Sequence, residues 1–534
     1  MSVVRPPSPA RWWTLGIVSL GTFMLMLDLS VVAVALPQIH ESLNSSFSDL
    51  QWVFDAYALT LAIFLVAAGS TADRKGRKMV FQIGFTIFTI ASLACGLASN
   101  AEMLSWFRAV QGAGGAIIFA VGPALLSHEF HGKERATAFT AFGAAVGLAV
   151  ATGPLIGGAL TSGLSWRWIF FINVPVGVVA ILIGMFRVRE SRSLRAQPTD
   201  WIGLLTLSVA LAALVFATIR GPVEGWSSAL TISLYVVSVV FLGLFAVTER
   251  RLGEAAMLDL SFFRNRTFLG ISLVAMIGNA GALPSIFFET SYLQNMLRID
   301  TWGAGLRFLP LTGSMFVAGA IAGSLIGKVP FKVLMGGSAA LLGVGLLFLQ
   351  LADVDSAWTV LIPSMIISGF AMGAFNPSRA ALAISITEPS RAGVASGINE
   401  TFQQVGIVVG IAGVGALFQH SVAASFTSSA VGQQLGGAAE TAADGISAGS
   451  IDAVASAAGP LREQVLEAAR TAFMGGFHDA MALSAGLALT AGLLGFLLIR
   501  TQDLHPSVLV SQIPPDVEDI DEEERPEVAV VPAT

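Results

Sequence analysis

Apolar residues in this chain run in long blocks that no charge interrupts, among them Trp13–Leu27, Met79–Leu97 and Gly336–Leu349. Only 12% of the 534 residues are charged, against roughly 25% in an ordinary globular protein. So few charges cannot cover the three or four soluble domains that this length would otherwise allow, at about 150 residues each. Inside hydrocarbon every backbone amide must bond within the protein, which leaves helices or a closed barrel. A barrel would show short alternating strands, and these blocks are continuous. The sequence predicts an all-α integral membrane protein.

A helical span needs about 20 mostly apolar residues. Fourteen stretches qualify: 13–36, 51–72, 79–99, 103–126, 136–160, 168–187, 201–219, 229–248, 268–293, 303–327, 331–351, 358–385, 393–419 and 474–499. An even count puts both chain ends on one side. With the N-terminus inside, 21 Lys and Arg lie in inner loops or tails, and six lie outside at Arg167, Arg220, Arg298, Arg307, Arg462 and Arg470. The positive-inside rule then predicts that both termini are cytoplasmic. All ten Trp fall at or near span ends, where an interfacial belt holds them.

The domain division that follows has a cytoplasmic N-terminus at 1–12, six helices over 13–187, and two inserted helices within 188–250. Six more helices fill 251–500, interrupted by an external loop at 420–473 in which Leu461–Phe473 reads as a short amphipathic helix. The last segment, 501–534, carries nine acidic residues and one basic, and its composition predicts a disordered cytoplasmic tail.

That tail accounts for the net charge of −6, since the rest of the chain carries +2. No basic footprint for nucleic acid exists. Cys95 is the only cysteine, so no intrachain disulfide forms. The first apolar stretch continues to Pro37 without a small-residue cleavage site, which argues against a cleaved signal peptide. Gly327-Lys328 lacks the spacing of a phosphate-binding loop, and no His or Cys pattern has metal-ligand spacing. We expect no cofactor, no metal and no enzymatic reaction; the energy source left is an ion gradient.

Two stretches repeat at a spacing near 255 residues. Ala68-Gly69-Ser70 through Lys78 aligns with Ala322-Gly323-Ser324 through Lys332, and Leu104-x3-Arg108-x2-Gln111-Gly112 with Leu361-x3-Met365-x2-Ser368-Gly369. Arg135-Ala136 aligns with Arg391-Ala392. Duplicated bundles are how many secondary transporters build two halves around a midplane site. The copies differ in charge: Asp73, Gly76 and Arg77 become Gly327, Pro330 and Phe331, and Arg108 becomes Met365.

The decapeptide Gly69-Ser70-Thr71-Ala72-Asp73-Arg74-Lys75-Gly76-Arg77-Lys78, the stretch Leu104–Ala116 and the run Gly153-Pro154-x2-Gly157-Gly158 follow one another along the chain. Leu27-Asp28-x-Ser30-Val31-Val32-x-Val34-Ala35-Leu36-Pro37 and Trp166-Arg167-Trp168-Ile169-Phe170-x-Ile172-Asn173-Val174-Pro175 accompany them. Together they resemble the major facilitator superfamily, in its fourteen-span drug:proton antiporter branch. The resemblance extends to Arg500, with dense motifs only in the first 180 residues. Ala145 and Ala149 depart from it, standing where the exporter motif of span five often has Gly; Ala is still small enough for close packing. The resemblance implies a monomer in the plasma membrane of a bacterium, with two six-helix halves, two inserted central helices and alternating access. It also implies that Asp73 engages the opposite half and that Arg77 joins this latch, with Gly69, Gly76 and Lys78 shaping the loop. The bland alternative for such a charged run is a solvated turn.

Asp28 lies about halfway or more along the first span, where a carboxylate costs about 2.5–3.5 kcal/mol on insertion scales. Such a residue handles protons or substrate, or else makes a structural bond to a neighbouring helix. Arg108 cannot shed its charge and needs a carboxylate or carbonyl partner, which Asp28 or Asp55 can supply. By resemblance Arg108 and Gln111 belong to a motif implicated in proton transfer. Asp55, only one turn into span two, is either part of this relay or in contact with water. Glu400, Gln403 and Gln404 share a helix face beside Asn399, and a polar face in lipid must line protein or water. These four are candidates for the substrate cavity, with Glu289 and Asn376 added; Asn279 and Asn376 are also expected to bond between helices.

The reading is a proton-coupled exporter of lipophilic, often cationic, drugs, whose partners are protons, a small-molecule substrate and the bilayer. A dedicated exporter of one metabolite, lipid or siderophore on the same fold is the rival, because fold does not set function. A membrane sensor or scaffold without flux is more distant, since no soluble signalling domain is visible.

Overall fold

The computed structural model describes residues 10–130, 132–191, 200–253, 256, 260–387 and 392–503. Among these every extended regular element is a helix. The acidic residues from 504 onward, and Arg391 of the repeat, lie outside the described residues.

Polar caps and one glycine decide where the helices of the first half begin. Helix α1, Ala10–Leu43, is followed by α2, Phe47–Lys75, which starts at a reciprocal cap. Ser46 Oγ accepts from the Asp49 amide at 3.2 Å, and Asp49 Oδ2 accepts from the Ser46 amide at 2.9 Å. Gly76, at φ +120°, separates α2 from α3, Arg77–Gly96. Asn100 caps α4, Ala101–Glu129, by accepting from Met103 N at 2.8 Å. Then come α5, Gly132–Gly163, and α6, Asn173–Arg187, the latter preceded by a turn at Trp168–Phe171.

The inserted pair is α7, Trp201–Glu224, and α8, Ala229–Leu252, capped by Asp200 and Ser228. The second half comprises α9, Arg266–Ser291; α10, Leu309–Leu325; α11, Phe331–Leu347; α12, Ile362–Ser385; α13, Ala392–Ser428; and α14, Arg462–Leu498. Among the described residues, twelve segments are long and apolar enough to cross a membrane. Helices α2 and α5, at 29 and 32 residues, complete the set of long helices without meeting that measure.

Burial divides the bundle in two. Phe81, Phe85 and Phe88 of α3 pack with Val32 of α1 and Val121 of α4 in one core. Phe288 and Tyr292, from α9 and the turn after it, pack with Leu346, Met365, Phe418 and Phe477 in the other. A third cluster joins Ala58 and Ile63 of α2 to Leu211 and Val215 of α7 and to Ile407 and Val408 of α13. Helix α7 therefore lies against the seam between the halves, with the Trp52 and Phe216 ring centroids 5.8 Å apart. Helix α8 packs on α7 and turns Val236, Val239, Val240 and Leu244 outward, as a lipid-facing helix does.

Three boundaries differ from the sequence expectation. Helix α1 continues through Pro37 to Leu43. Helix α13 continues to Ser428, so the irregular segment between the last two long helices starts later than 420 and holds short helices at Ala430–Leu435, Ala438–Ser447 and Ile451–Ala457. Leu461–Phe473 is not a separate helix: from Arg462 it is the first part of α14. Val465, Ala469, Ala472 and Phe473 form an apolar stripe that runs on into the core, and no proline interrupts it. At 37 residues each, α13 and α14 are about 55 Å long, well beyond the roughly 30 Å of a hydrocarbon layer. Both project at the face opposite the chain ends. We call the face carrying Arg11, Gly76 and Arg500 the terminal face, and the other the distal face.

Candidate functional site

Four helices of the first half converge on Asp28, whose side chain is fully buried. Helix α4 presents Arg108 and Gln111 three residues apart, hence on one side. Arg108 Nη1 donates to Asp28 Oδ2 in a buried ion pair, and to Gln111 Oε1 at 2.8 Å. Gln111 Nε2 donates to Asp28 Oδ1 at 3.0 Å and to Ser92 Oγ at 3.1 Å. From α6, Asn173 Nδ2 reaches the same two acceptors at 3.2 and 3.1 Å. Ser92 Oγ in turn donates to the Phe170 carbonyl at 2.9 Å. Arg108 also donates from Nε to the Val53 carbonyl at 3.2 Å and lies 4.1 Å from the centroid of Tyr57. Asp28 accepts three bonds from side-chain N–H groups. A buried pair persists only when bonded this fully, because stranding one partner costs about 3–5 kcal/mol.

Of the two partners open to Arg108, the structure selects Asp28. Asp55 is fully buried on α2, and neither of its oxygens has a hydrogen-bond partner among the described residues. It does not touch water at the span end. Glu289 on α9 is buried to the same degree, again with both oxygens unpartnered.

Glu400 and Asn399 on α13 meet Arg379 of α12. Arg379 Nη2 donates to Glu400 Oε1 and Nη1 to Asn399 Oδ1. Beside them, Gln404 is fully buried, and among the described residues neither its two amide atoms nor Gln403 Oε1 has a partner. Asn376 is half-buried on α12. Asn279 Nδ2 bonds to the Ala275 carbonyl of its own helix at 2.8 Å rather than across to a neighbour.

The loop at the terminal face is shaped within its own half. Lys78 N and Met79 N donate to the two oxygens of Glu190 at 3.0 and 3.1 Å, and Arg77 N donates to the Ser191 carbonyl at 2.9 Å. Lys78 Nζ donates to the Met185 carbonyl at 2.7 Å. A Cβ on Gly76 would stand 2.7 Å from the Glu190 carboxyl carbon, whereas Gly69 faces open space. The side chain of Asp73 lies outside the described residues.

At the distal end, small residues bring backbones together. Gly153 packs on Ser30, and a Cβ on Gly157 would lie 3.2 Å from the Val31 carbonyl, seating α5 on α1. Gly158 faces the other half, where its Cβ would stand 2.7 Å from the Thr301 carbonyl; Gly305 approaches the Pro154 carbonyl in return. Gln38 Nε2 donates to Thr301 Oγ1 at 3.1 Å, Trp302 N to Ser162 Oγ at 2.8 Å, and Gln294 Nε2 to the Val34 carbonyl at 3.2 Å. The halves are thus tied together on the distal side. Just beneath, a narrow hollow opens between them, walled by Phe47, Phe54, Phe287 and Phe288, with Ile411 and Gln51. None of Glu289, Asn376, Asn399, Glu400, Gln403 and Gln404 lines it.

Sequence reasoning gave no role to Ser92, Asn173, Glu190 or the Arg379–Glu400 pair. Arg379 and Glu400 did leave a signal: lone opposite charges in consecutive spans.

The family model described as Major Facilitator Superfamily matches residues 18–411. The multidrug resistance protein Stp of Mycobacterium tuberculosis is 33% identical over 406 residues, 76% of this chain and 75% of that one. The tetracenomycin C resistance and export protein of Streptomyces glaucescens is 30% identical over 493 residues, 90% of each. Among solved structures, a bacterial homologue of the human lysosomal transporter Spinster, inward-facing and occupied, superposes with a TM-score of 0.64 at 17% identity, over 93% of this chain and 99% of that one.

Proposed function

This chain belongs to the Major Facilitator Superfamily, and on that premise we propose that it is a proton-coupled antiporter exporting lipophilic, often cationic, drugs across the bacterial inner membrane. In this reading α2 and α5 also span, giving fourteen crossings. Both termini are cytoplasmic, the distal face is external, and the protein acts as a monomer. The observation that carries the coupling is the Asp28 cluster. Its carboxylate is held by Arg108, Gln111 and Asn173. Protonating it breaks the pair with Arg108, which falls back on Val53 O and Gln111. One proton thus switches the contacts among α1, α2 and α4, and such a two-state element is what alternating access requires. Asp55, buried and unpartnered on α2, is the second acid of this half able to accept a proton.

The aromatic walls of the hollow suit flat lipophilic molecules and cations by apolar and cation–π contact. The polar face of Asn399, Glu400, Gln403 and Gln404, with Asn376, serves the substrate path when Arg379 releases Glu400. Asp73 and Arg77 latch the cytoplasmic side when the external side opens.

A relative whose name couples resistance with export of a single antibiotic favours a second reading, a dedicated exporter of one metabolite. Inverted membrane vesicles decide between them. Uncoupler-sensitive uptake of ethidium and of unrelated lipophilic cations supports multidrug antiport. Uptake of none of them, with uptake of one neutral aromatic product, supports the dedicated exporter.

A further inference from the structure

Counting helices through the repeat makes α9 the counterpart of α1 and α12 the counterpart of α4. In the first half, the acid on the first helix meets a cation on the fourth. The second half also carries an acid on its first helix, Glu289, six residues beyond Leu283, which the spacing near 255 aligns with Asp28; Met365 stands where the repeat places Arg108, and it is fully buried. An acid that has lost its cation is normally lost too, since a bare carboxylate in an apolar core is prohibitive. Glu289 remains, with 0% exposure and, among the described residues, no partner for either oxygen.

Among the described residues, no cation pairs with it. Of the elements packed on α9, α1 carries Asp28, which is tied to Arg108. Helix α13 carries Glu400, tied to Arg379 of α12, and an exposed His420. On α14, His478 bonds the Ala352 carbonyl at 2.8 Å, Asp479 is exposed, and Arg470 donates to the Met296 carbonyl. Arg298, past the end of α9, pairs with Asp452, and Tyr292 Oη donates to the Asp353 carbonyl at 3.0 Å. Every one of these groups is engaged elsewhere or faces outward.

Residues on both sides of Glu289 face hollows: Phe287 and Phe288 wall one, and Thr290, Ser291 and Asn295 line another that reaches the distal segment at Ser447. Glu289 lines neither hollow. Immediately beyond it the helix loosens into a π turn, Tyr292–Met296, a geometry that often marks functional adjustment. Glu289 lies on the far side of the helix from these hollow-lining residues, at about 100° of turn per residue, so a proton from the hollow reaches it only if the helix turns at this point.

We propose that Glu289 is a second proton-binding site, in the half where Met365 replaces the arginine: it takes a proton from the external hollow and releases it inward, separately from Asp28. The inference rests on the antiport reading. It adds that two protons, one per half, enter for each drug expelled, and it assigns Glu289 to protons rather than to the substrate path.

Two measurements on the full chain test it. Infrared spectra of wild type and Glu289→Gln in nanodiscs, titrated with pH, read the protonated carboxyl directly and need no drug. The proposal expects one carbonyl band, absent in Glu289→Gln, that disappears as pH rises. A wild-type minus Glu289→Gln difference spectrum with no carbonyl band at any pH, or with one that persists at every pH, overturns it. In proteoliposomes with a one-unit pH gradient and the membrane potential clamped at zero, Glu289→Gln should sustain an ethidium gradient about tenfold smaller, as loss of one of two coupled protons requires. An unchanged gradient also overturns it. If wild type accumulates no ethidium under a proton gradient, the antiport reading fails, while the infrared titration still decides Glu289.

Discussion

Glu190 and Gly76 meet at the start of α3: both Glu190 oxygens accept from α3 backbone amides, at 3.0 and 3.1 Å, against a glycine at φ +120°. The first amides of a helix have no partner within it, and a carboxylate there stabilises it as a cap and against the helix dipole. The glycine leaves the space in which that carboxylate sits. Part of the charged-loop motif is therefore local architecture, holding the α2–α3 turn against the end of α6.

Gly76→Ala should consequently lose stability by about 1–3 kcal/mol, from the positive φ and the displaced carboxylate together. Glu190→Ala should lose less, about 0.5–2 kcal/mol as for a missing cap. Thermal unfolding in detergent gives the ranking, and equal stability of Gly76→Ala and wild type would refute this picture of the turn.

Arg108→Ala leaves Asp28 charged and buried, so we expect a loss of about 3–5 kcal/mol. Adding Asp28→Asn removes the stranded charge, and the double variant should melt above Arg108→Ala alone. A double variant that melts lower would mean that the two residues do not act as a pair.

The fold class was legible in the charge-free blocks, because lipid leaves a backbone no other means of satisfying its amides. The pairing was only half legible. A lone arginine in a span demands an acid, but whether Asp28 or Asp55 answers depends on helix rotation, which sequence does not carry. Gln111 belongs to a motif and was found; Asn173 also lies in a motif, but the motif attached no role to it, and Ser92 is a common polar residue, so the role of both exists only where α3 and α6 converge. The extra length of α13 and α14 was missed for a different reason. Ala-rich, Ser-rich sequence reads as loop by composition, yet its apolar spacing continues the stripe of the helix that follows.

Asp73→Asn and Arg77→Ala should insert normally and shift accessibility between the two sides while slowing transport. Single cysteines on each side, labelled by impermeant reagents, report the distribution. An unchanged distribution with normal flux ends the latch reading.

Gly158→Leu should do the reverse at the distal face. A side chain cannot fit where a Cβ already stands 2.7 Å from the Thr301 carbonyl, so the halves are held apart there. Distal cysteines near Gln38 and Thr301 should label faster than in wild type, and export should slow. Labelling at the wild-type rate would show that this contact does not govern closure.

The coupling role of Asp28 is tested most directly by ethidium affinity as a function of pH, for wild type and Asp28→Asn in nanodiscs. Asn keeps the shape and hydrogen-bonding capacity of Asp but exchanges no proton. Proton and drug binding are linked, so wild-type affinity should fall as pH falls and Asp28 takes up a proton. In Asp28→Asn the pH dependence should flatten while the protein reaches the membrane at normal levels and uphill export disappears. Two parallel curves, with the pH dependence intact in the variant, would contradict the account.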